Sequence, residues 1–307
     1  MKINDLSIVV CSNKSDYYLT FICISSIRYF YPNVKVYLIK DLINGNYDTS
    51  LLEKKLDVEL LDFGIKKMGW AAGKFHLHYS FPKNQKLLVL DSDIVFVSPF
   101  LEDILSHFDN YDYIISAEYE SDPYAAWVKD VYFDVKTIEK TYPEYKYPGY
   151  FFNTGQVFLT TGSIPINCFD LYFDQNNYPY WKNSKLFPLV DQSIYNFLLP
   201  ALQRKGSIKL GQFNFMVWAN SGIANNIKLF EVLNKTCEKG LIHWAGCIRS
   251  PFLSLMLNKE ILQYFQSYYY QLTNQNLIQK HFDLTKIKIN YFLGKVIRKI
   301  SNRLKLY

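Results

Sequence analysis

The sequence lacks the features that define several large classes of protein. Its longest hydrophobic region, 86–101, is interrupted by Asp91 and Asp93, so it has no run of about 18 apolar residues and a transmembrane protein is excluded. Glycine and proline number only 13 and 11 among 307 residues, which excludes a collagen-like or low-complexity chain. The five cysteines form no Cys-x-x-Cys pair, so neither a zinc site nor dithiol redox chemistry is indicated.

A leader peptide is not predicted either. The N-terminal residues lead into a short strand-like run at 8–11, without a long apolar segment or a small-residue cleavage site. We therefore expect a cytoplasmic protein.

The positive charge of the chain is concentrated at the C-terminus. The net charge is +6, which by itself would suggest a nucleic-acid partner. Residues 286–307 contain no acidic residue and seven basic ones, which are Lys286, Lys288, Lys295, Arg298, Lys299, Arg303 and Lys305. Because seven exceeds the whole net charge, the rest of the chain carries no excess of positive charge. We therefore expect no nucleic-acid partner.

Apolar residues stand between these cations at helical spacing, and they are Ile289, Phe292, Leu293, Val296, Ile297, Ile300 and Leu304. The pattern predicts an amphipathic helix that lies on the inner face of the cytoplasmic membrane, where anionic lipid attracts basic residues. Docking of the same helix on the catalytic domain is the alternative.

The rest of the chain has the pattern of an α/β protein. The first hundred residues alternate β-rich runs with longer amphipathic stretches, in the order βαβαβα. The run 86–90 is continuously apolar, as in a strand covered on both faces. Further strands are predicted at 156–160 and 241–243, and helices at 191–199 and 258–283.

The segment 118–150 is aromatic, charged and interrupted by prolines. This composition predicts a loop-rich insert over the site, on the acceptor side. We therefore predict one catalytic domain, 1–257, followed by a helical appendage, 258–307, that ends in the basic segment 286–307.

Asp91 and Asp93 follow the apolar run directly and form the first candidate site. Strand carboxyl ends are where such sheets bind ligands, and two carboxylates can hold Mg²⁺ or Mn²⁺ against a diphosphate. The same string, Asp-x-Asp-x-Val, also resembles the first motif of haloacid-dehalogenase-type phosphatases, in which Asp91 would be the nucleophile. That family needs a later lysine and an acidic loop, and the sequence shows no match to them.

Three further motifs follow in order: Asn153-Thr154-Gly155, Asp191-Gln192-Ser193, and His243-Trp244-Ala245-Gly246-Cys247-Ile248-Arg249-Ser250-Pro251-Phe252. With the Asp-x-Asp pair they resemble glycosyltransferase family 8, the family of glycogenin and of bacterial lipopolysaccharide glucosyl- and galactosyltransferases. The resemblance spans residues 7–252. It implies a GT-A type, Rossmann-like fold with a mixed central sheet that binds a nucleotide-diphospho-sugar.

The resemblance also implies roles for individual residues. Asp91, Asp93 and His243 would bind the metal, for which an imidazole ligand favours Mn²⁺. Asp191 would bind sugar hydroxyls and Gln192 would lie beneath the anomeric carbon. The remaining donor-binding residues would be Asn13, Lys74, Ser92, Asn153, Gly155, Gly246 and Arg249.

The chain departs from the family pattern at several of these positions. Arg249 replaces a lysine and can bind phosphate oxygens bidentately. Asn13 replaces an aspartate that contacts the nucleobase, and Ser193 replaces the second Asp of its motif. Lys74 stands where the family often has arginine, and an exposed helical lysine is the alternative interpretation.

The function implied is a metal-dependent, retaining glycosyltransferase. It would move glucose or galactose from a UDP-sugar to a lipid-linked surface glycan of lipopolysaccharide or capsule type. Two other hypotheses stay open, namely the phosphatase and a non-catalytic, membrane-bound scaffold with the same fold.

Overall fold

The computed structural model of the chain describes residues 2–43, 45–120, 122–170, 172–174 and 180–304. In the predicted tail, Lys305 lies outside the described residues, and so do the side chains of Lys295, Arg298, Lys299 and Arg303. Within the described residues no helix is long and apolar enough to cross a bilayer.

Short strands make up both the central sheet and the smaller sheets around it. They are β1 Leu6–Ser12, β2 Lys35–Lys40, β3 Val58–Leu61, β4 Lys86–Asp91, β5 Ile94–Phe96, β6 Tyr113–Ile115, β7 Ala117–Glu118, β8 Phe151–Phe152, β9 Gln156–Thr160, β10 Phe173–Asp174, β11 Tyr180–Trp181, β12 Leu210–Gln212, β13 Met216–Trp218 and β14 Leu241–His243.

Helices cover the central sheet and extend beyond it at the C-terminus. They are α1 Tyr17–Phe30, α2 Ser50–Leu56, α3 Trp70–Ser80, α4 Leu101–Phe108, α5 Ala126–Val131, α6 Val135–Thr141, α7 Val190–Arg204, α8 Gly222–Asn226, α9 Leu229–Leu233, α10 Lys259–Leu272 and α11 Leu277–Leu304. Single 3₁₀ turns occupy Ile3–Asp5, Lys14–Asp16, Ile166–Phe169 and Leu253–Leu255.

The central sheet is mixed, with the strand order β12-β6-β9-β4-β1-β2-β3. Strands β4, β1, β2 and β3 run parallel to one another, whereas β9 is antiparallel to both β4 and β6. A second sheet, β13-β14-β5, continues directly from β4, because β5 follows it after a two-residue turn. The predicted α/β fold with a mixed sheet is confirmed.

Successive residues of the buried strands point alternately into two hydrophobic cores, one on each face of the sheet. Ile8 and Val10 lie in the core beneath α1, and Val9 lies in the opposite core beneath α3. Helix α10 joins the first core, where Tyr269 stacks on Phe21 at 4.3 Å between ring centroids. The division of the chain at residue 257 remains a prediction.

Within the insert 118–150, predicted to be rich in loops, the short helices α5 and α6 pack Val128, Val135 and Ile138 into the second core. The structure corrects the bounds of two predicted helices. The helix predicted at 191–199 continues to Arg204, through Pro200. The helix predicted at 258–283 is interrupted at Asn274, whose φ of 53° ends α10, and residues 286–304 belong to α11.

Candidate active site

Two acidic residues lie where the central sheet passes into the second sheet. Asp91 ends β4, and Asp93 completes the turn that leads into β5. The main chain of Asp91 is fixed by a hydrogen bond from its N–H to the carbonyl of Gly155, 2.7 Å. The carboxyl end of β4 is therefore joined to the turn that precedes β9.

His243 reaches Asp93 through strand pairing. In the antiparallel pair β5–β14, His243 is directly opposite Ile94, the neighbour of Asp93. His243 Nε2 lies 3.1 Å from Asp93 Oδ1, and the imidazole stacks on Trp218 at 5.2 Å. His243 is completely buried, and its Nδ1 has no hydrogen-bond partner among the described residues.

The three side chains fit a divalent cation. One ligand atom from each of Asp91, Asp93 and His243 lies within 4.8 Å of the other two, and carboxylate and imidazole groups are donors that divalent metal ions accept. Two of the three ligands lie against Gly155, where a methyl group would collide with the imidazole of His243 and lie 2.9 Å from Asp91 Oδ2 and 2.7 Å from Asn153 Oδ1. Only glycine leaves this space open.

Lys74 connects the candidate metal ligands to the first turn of α7. The side chain is 2% exposed, so the alternative of an exposed helical lysine is wrong. Its ammonium donates to Asp191 Oδ2 at 2.7 Å and to the Thr154 carbonyl at 2.9 Å. It also lies 2.8 Å from Asp91 Oδ1, as an ion pair without hydrogen-bond alignment. A buried cation thus holds two carboxylates from separate motifs.

The side chain of Gln192 is held by hydrogen bonds to Phe152, at the end of β8, and to Thr154, in the turn that follows. Its Oε1 accepts from the N–H and the hydroxyl of Thr154, both at 2.9 Å, and its Nε2 donates to the Phe152 carbonyl at 3.0 Å. Asn153 Oδ1 accepts from the Gly155 N–H at 2.7 Å, which shapes the turn. The second and third motifs therefore form one hydrogen-bonded unit.

Arg249 lies on the loop after β14 and points back to the site. Its Nη1 is 3.0 Å from Asp93 Oδ2 and 3.3 Å from Asp16 Oδ2. Gly246, in the same loop, has a φ of 73°, a conformation that favours glycine, and open space around it. The guanidinium therefore stands beside the candidate metal site with nearly half of its side-chain surface exposed.

Burial and neighbouring charges shift the pKa values of Asp91 and Asp93 in opposite directions. Burial raises the pKa of Asp91, although the Lys74 ammonium opposes this. Burial has the same tendency at Asp93, but His243 and Arg249 outweigh it and lower the pKa to about 2. Asp93 is therefore ionised at neutral pH.

Asn13 and Ser92 occupy the margins of the site. Asn13 caps the 3₁₀ turn Lys14–Asp16 by accepting from the N–H and hydroxyl of Ser15, both at 2.9 Å. Ser92 is buried in the turn between β4 and β5. The structure thus brings the acidic, amide and basic residues together in one cluster, and Asn13 adjoins it through Asp16, which contacts Arg249.

Sequence reasoning missed four residues at the site. Thr154 stands inside a recognised motif, and its hydroxyl lies 2.8 Å from Asp191 Oδ2, so its position could have suggested a role. Trp218, Asp16 and Glu118 have no such signal. Glu118 is paired with Phe151 across β7–β8, burial raises its pKa to about 7, and its Oε1 has no hydrogen-bond partner among the described residues.

No protein-family model matches the sequence, and no curated protein matches it. Solved structures do. The bifunctional glycosyltransferase WbbM shares 13% identity at a TM-score of 0.57 over 92% of this chain and 52% of WbbM, so the chain spans about half of that protein's length.

The galactosyltransferase LgtC, solved with donor and acceptor sugar analogues, shares 13% identity at a TM-score of 0.52 over 88% of this chain and 98% of LgtC. The glycosyltransferase GlyE of Streptococcus pneumoniae TIGR4 shares 14% identity at 0.50, over 92% of this chain and 64% of GlyE. The resemblance to glycosyltransferases that the four motifs predict is therefore confirmed at the level of fold, and this chain has the GT-A type fold.

Proposed function

We propose that the protein is a metal-dependent glycosyltransferase that moves a hexose, glucose or galactose, from a UDP-sugar to a lipid-linked surface glycan. The observation that carries this proposal is the meeting of four separate motifs in one site of a GT-A type fold. Asp91 and His243 lie against Gly155, His243 contacts Asp93, and Lys74 joins Asp91 to Asp191.

Different residues of the chain are proposed to bind the metal, the diphosphate and the sugar of the donor. A divalent cation held by Asp91, Asp93 and His243 would neutralise the donor diphosphate and stabilise the nucleotide as it leaves. Arg249 binds phosphate oxygens on the same side. Asp191 binds sugar hydroxyls, and its carboxylate is kept in place by Lys74 and Thr154.

Gln192 is proposed to lie beneath the anomeric carbon. An amide is a poor nucleophile, so its oxygen stabilises positive charge at that carbon rather than forming a bond to it, in keeping with transfer that retains the anomeric configuration. One solved LgtC structure is that of an active-site mutant in which glutamine is replaced by glutamate. We extend an active-site role to Gln192.

The acceptor is proposed to bind beside the insert 118–150. The base of the insert is β7, paired with β8 immediately before Asn153. Three aromatic side chains of the insert are exposed, namely Tyr119, Tyr124 and Trp127, and rings with one polar end suit contact with sugars.

Membrane contact is proposed for the outer face of α11. Its exposed apolar residues include Phe282, Ile289, Leu293 and Val296, and Lys286 stands among them in the sequence. This arrangement suits an enzyme that works at the inner face of the cytoplasmic membrane, where a lipid-linked acceptor would be found.

The decisive experiment measures nucleotide released from a panel of nucleotide sugars by the purified chain, with Mn²⁺ or with EDTA. We expect UDP from one UDP-sugar, only with Mn²⁺, and loss of release in Asp93→Asn and His243→Ala. Asp103→Asn, on the exposed face of α4, is the matched control and should keep full turnover.

The same assay separates the alternatives. The phosphatase hypothesis predicts phosphate release that survives His243→Ala but not Asp91→Asn, and the fold gives it no support because the similar structures are glycosyltransferases. The scaffold hypothesis predicts no Mn²⁺-dependent binding of UDP. Silence across the panel together with absent UDP binding would overturn the proposed function.

A further inference from the structure

The loop that carries Arg249 contacts both the candidate active site and the C-terminal helix. The side chain of Arg249 points into the candidate active site, where it contacts Asp93 and Asp16. The main chain of Arg249 faces the C-terminal helix, where the hydroxyl of Tyr291 in α11 donates to the carbonyl of Arg249 at 3.3 Å. The appendage therefore reaches the residue proposed to bind the donor diphosphate.

A second contact lies three residues further along the same loop. The ring of Phe252 packs against Phe292 with 5.6 Å between centroids, and the ammonium of Lys288 lies 5.1 Å from the Phe252 ring. Helix α11 also lies against the 3₁₀ turn Lys14–Asp16, which supplies the second carboxylate beside Arg249. One helix thus braces both segments around the guanidinium.

Helical spacing separates this bracing face from the exposed apolar face of α11. Leu284 and Ile287 pack against the first core, and Tyr291 follows at the same spacing of three to four residues. Ile289 precedes Tyr291 by two residues, which places it on the opposite side of the helix. The inner face can therefore hold the loop while the outer face stays free.

We propose that α11 is part of the donor site and that Tyr291 is a positioning residue for Arg249. The inference rests on the proposed function and deepens it, because it assigns to the appendage a role in binding the nucleotide diphosphate. Arginine on a surface loop loses side-chain and main-chain freedom when it binds phosphate, and a loop already held in place loses less. Tyr291 supplies that restraint without touching the donor.

The first test compares Tyr291→Phe with Tyr268→Phe, a matched control on α10 whose ring packs on Tyr29. With the UDP-sugar that wild-type protein hydrolyses, Tyr291→Phe should raise the donor KM about threefold to tenfold, the range for one lost hydrogen bond, and leave kcat nearly unchanged. Tyr268→Phe should leave both constants as in wild type. An unchanged donor KM in Tyr291→Phe overturns the inference. A fall in kcat by as large a factor as the rise in KM overturns it too.

The second test does not depend on turnover. Hydrogen exchange of the full chain without metal or donor should be faster at the amides of 246–250 and Phe252 in Tyr291→Phe than in wild type, with no change in β4 or β9. Equal exchange in the two proteins overturns the inference. If wild-type protein turns over no nucleotide sugar, the proposed function fails, whereas the exchange measurement still decides whether α11 holds the loop.

Discussion

The candidate active site and the outer face of α11 both reverse the usual arrangement of a folded protein. The site buries charge, since Lys74, Asp93 and Asp191 are almost fully enclosed. The helix exposes apolar surface, with Ile278 at 80% and Phe282 at 74%. Burying charge costs free energy of folding, whereas leaving apolar side chains in solvent forgoes the free energy that their burial would supply. The difference is that the site encloses polar side chains, whereas the helix presents apolar side chains to solvent.

The largest test of the buried region removes its central cation. Lys74→Met would leave the carboxylates of Asp91 and Asp191 without the cation that they share, so we expect the free energy of unfolding to fall by about 3–5 kcal/mol. Chemical denaturation without metal measures it. Lys35→Met is the control, because Lys35 pairs with Glu59 at a site where both side chains are about half exposed, and the expected loss is about 1 kcal/mol or less. Similar losses in the two variants would contradict the buried network.

A second test acts on the space between the metal ligands. Gly155→Ala introduces a methyl group against His243, Asp91 and Asn153, and we expect Mn²⁺ affinity to fall on the order of 100-fold. Calorimetric titration with Mn²⁺ measures the change. Gly222→Ala should bind Mn²⁺ as wild type does, because a methyl group there has open space. Wild-type affinity in Gly155→Ala would place the metal elsewhere.

A third test uses pH at Glu118, at the margin of the buried region. Burial raises the pKa of Glu118 from 4.5 to about 7, so the folded protein holds a proton that the unfolded chain has lost. Stability from this group is complete below pH 4.5 and declines as pH rises to about 7, by on the order of 3 kcal/mol. Denaturation in EDTA across this range should show the slope in wild type and a flatter line in Glu118→Gln.

The exposed residue Glu260, in the first turn of α10, provides the control. Glu260→Gln should keep the wild-type slope. If Glu118→Gln keeps it as well, another group binds the proton.

The motifs were enough to predict the fold and to bring together the acidic residues, because each motif stands at the end of a strand or the start of a helix. Asp91, Asn153 and Gln192 follow this rule. Trp218 could not be found this way, since only the pairing of β13 with β14 brings it to His243. Glu118 could not be found either, because its position depends on the pairing of the two-residue strands β7 and β8. Strands this short carry no periodic signal in the sequence.

The tail shows a different limit of sequence reasoning. The sequence shows its helical period plainly, yet lipid contact and docking on the domain are alternatives for the whole segment. The structure docks the inner face of α11 through Leu284 and Ile287 and leaves Ile289 and Leu293 exposed. A helix has two sides, and a period alone does not say which side meets which partner.

The smallest expected effect concerns that exposed side. Ile289→Ser should weaken binding to vesicles that contain phosphatidylglycerol roughly tenfold, because one aliphatic side chain no longer enters the lipid. Ile223→Ser is the matched control, since Ile223 is exposed to the same degree, 54% against 53%, on α8 rather than α11. Both variants should keep the wild-type melting temperature and UDP-sugar hydrolysis. Equal vesicle binding by the two variants would show that the apolar face of α11 serves something other than lipid.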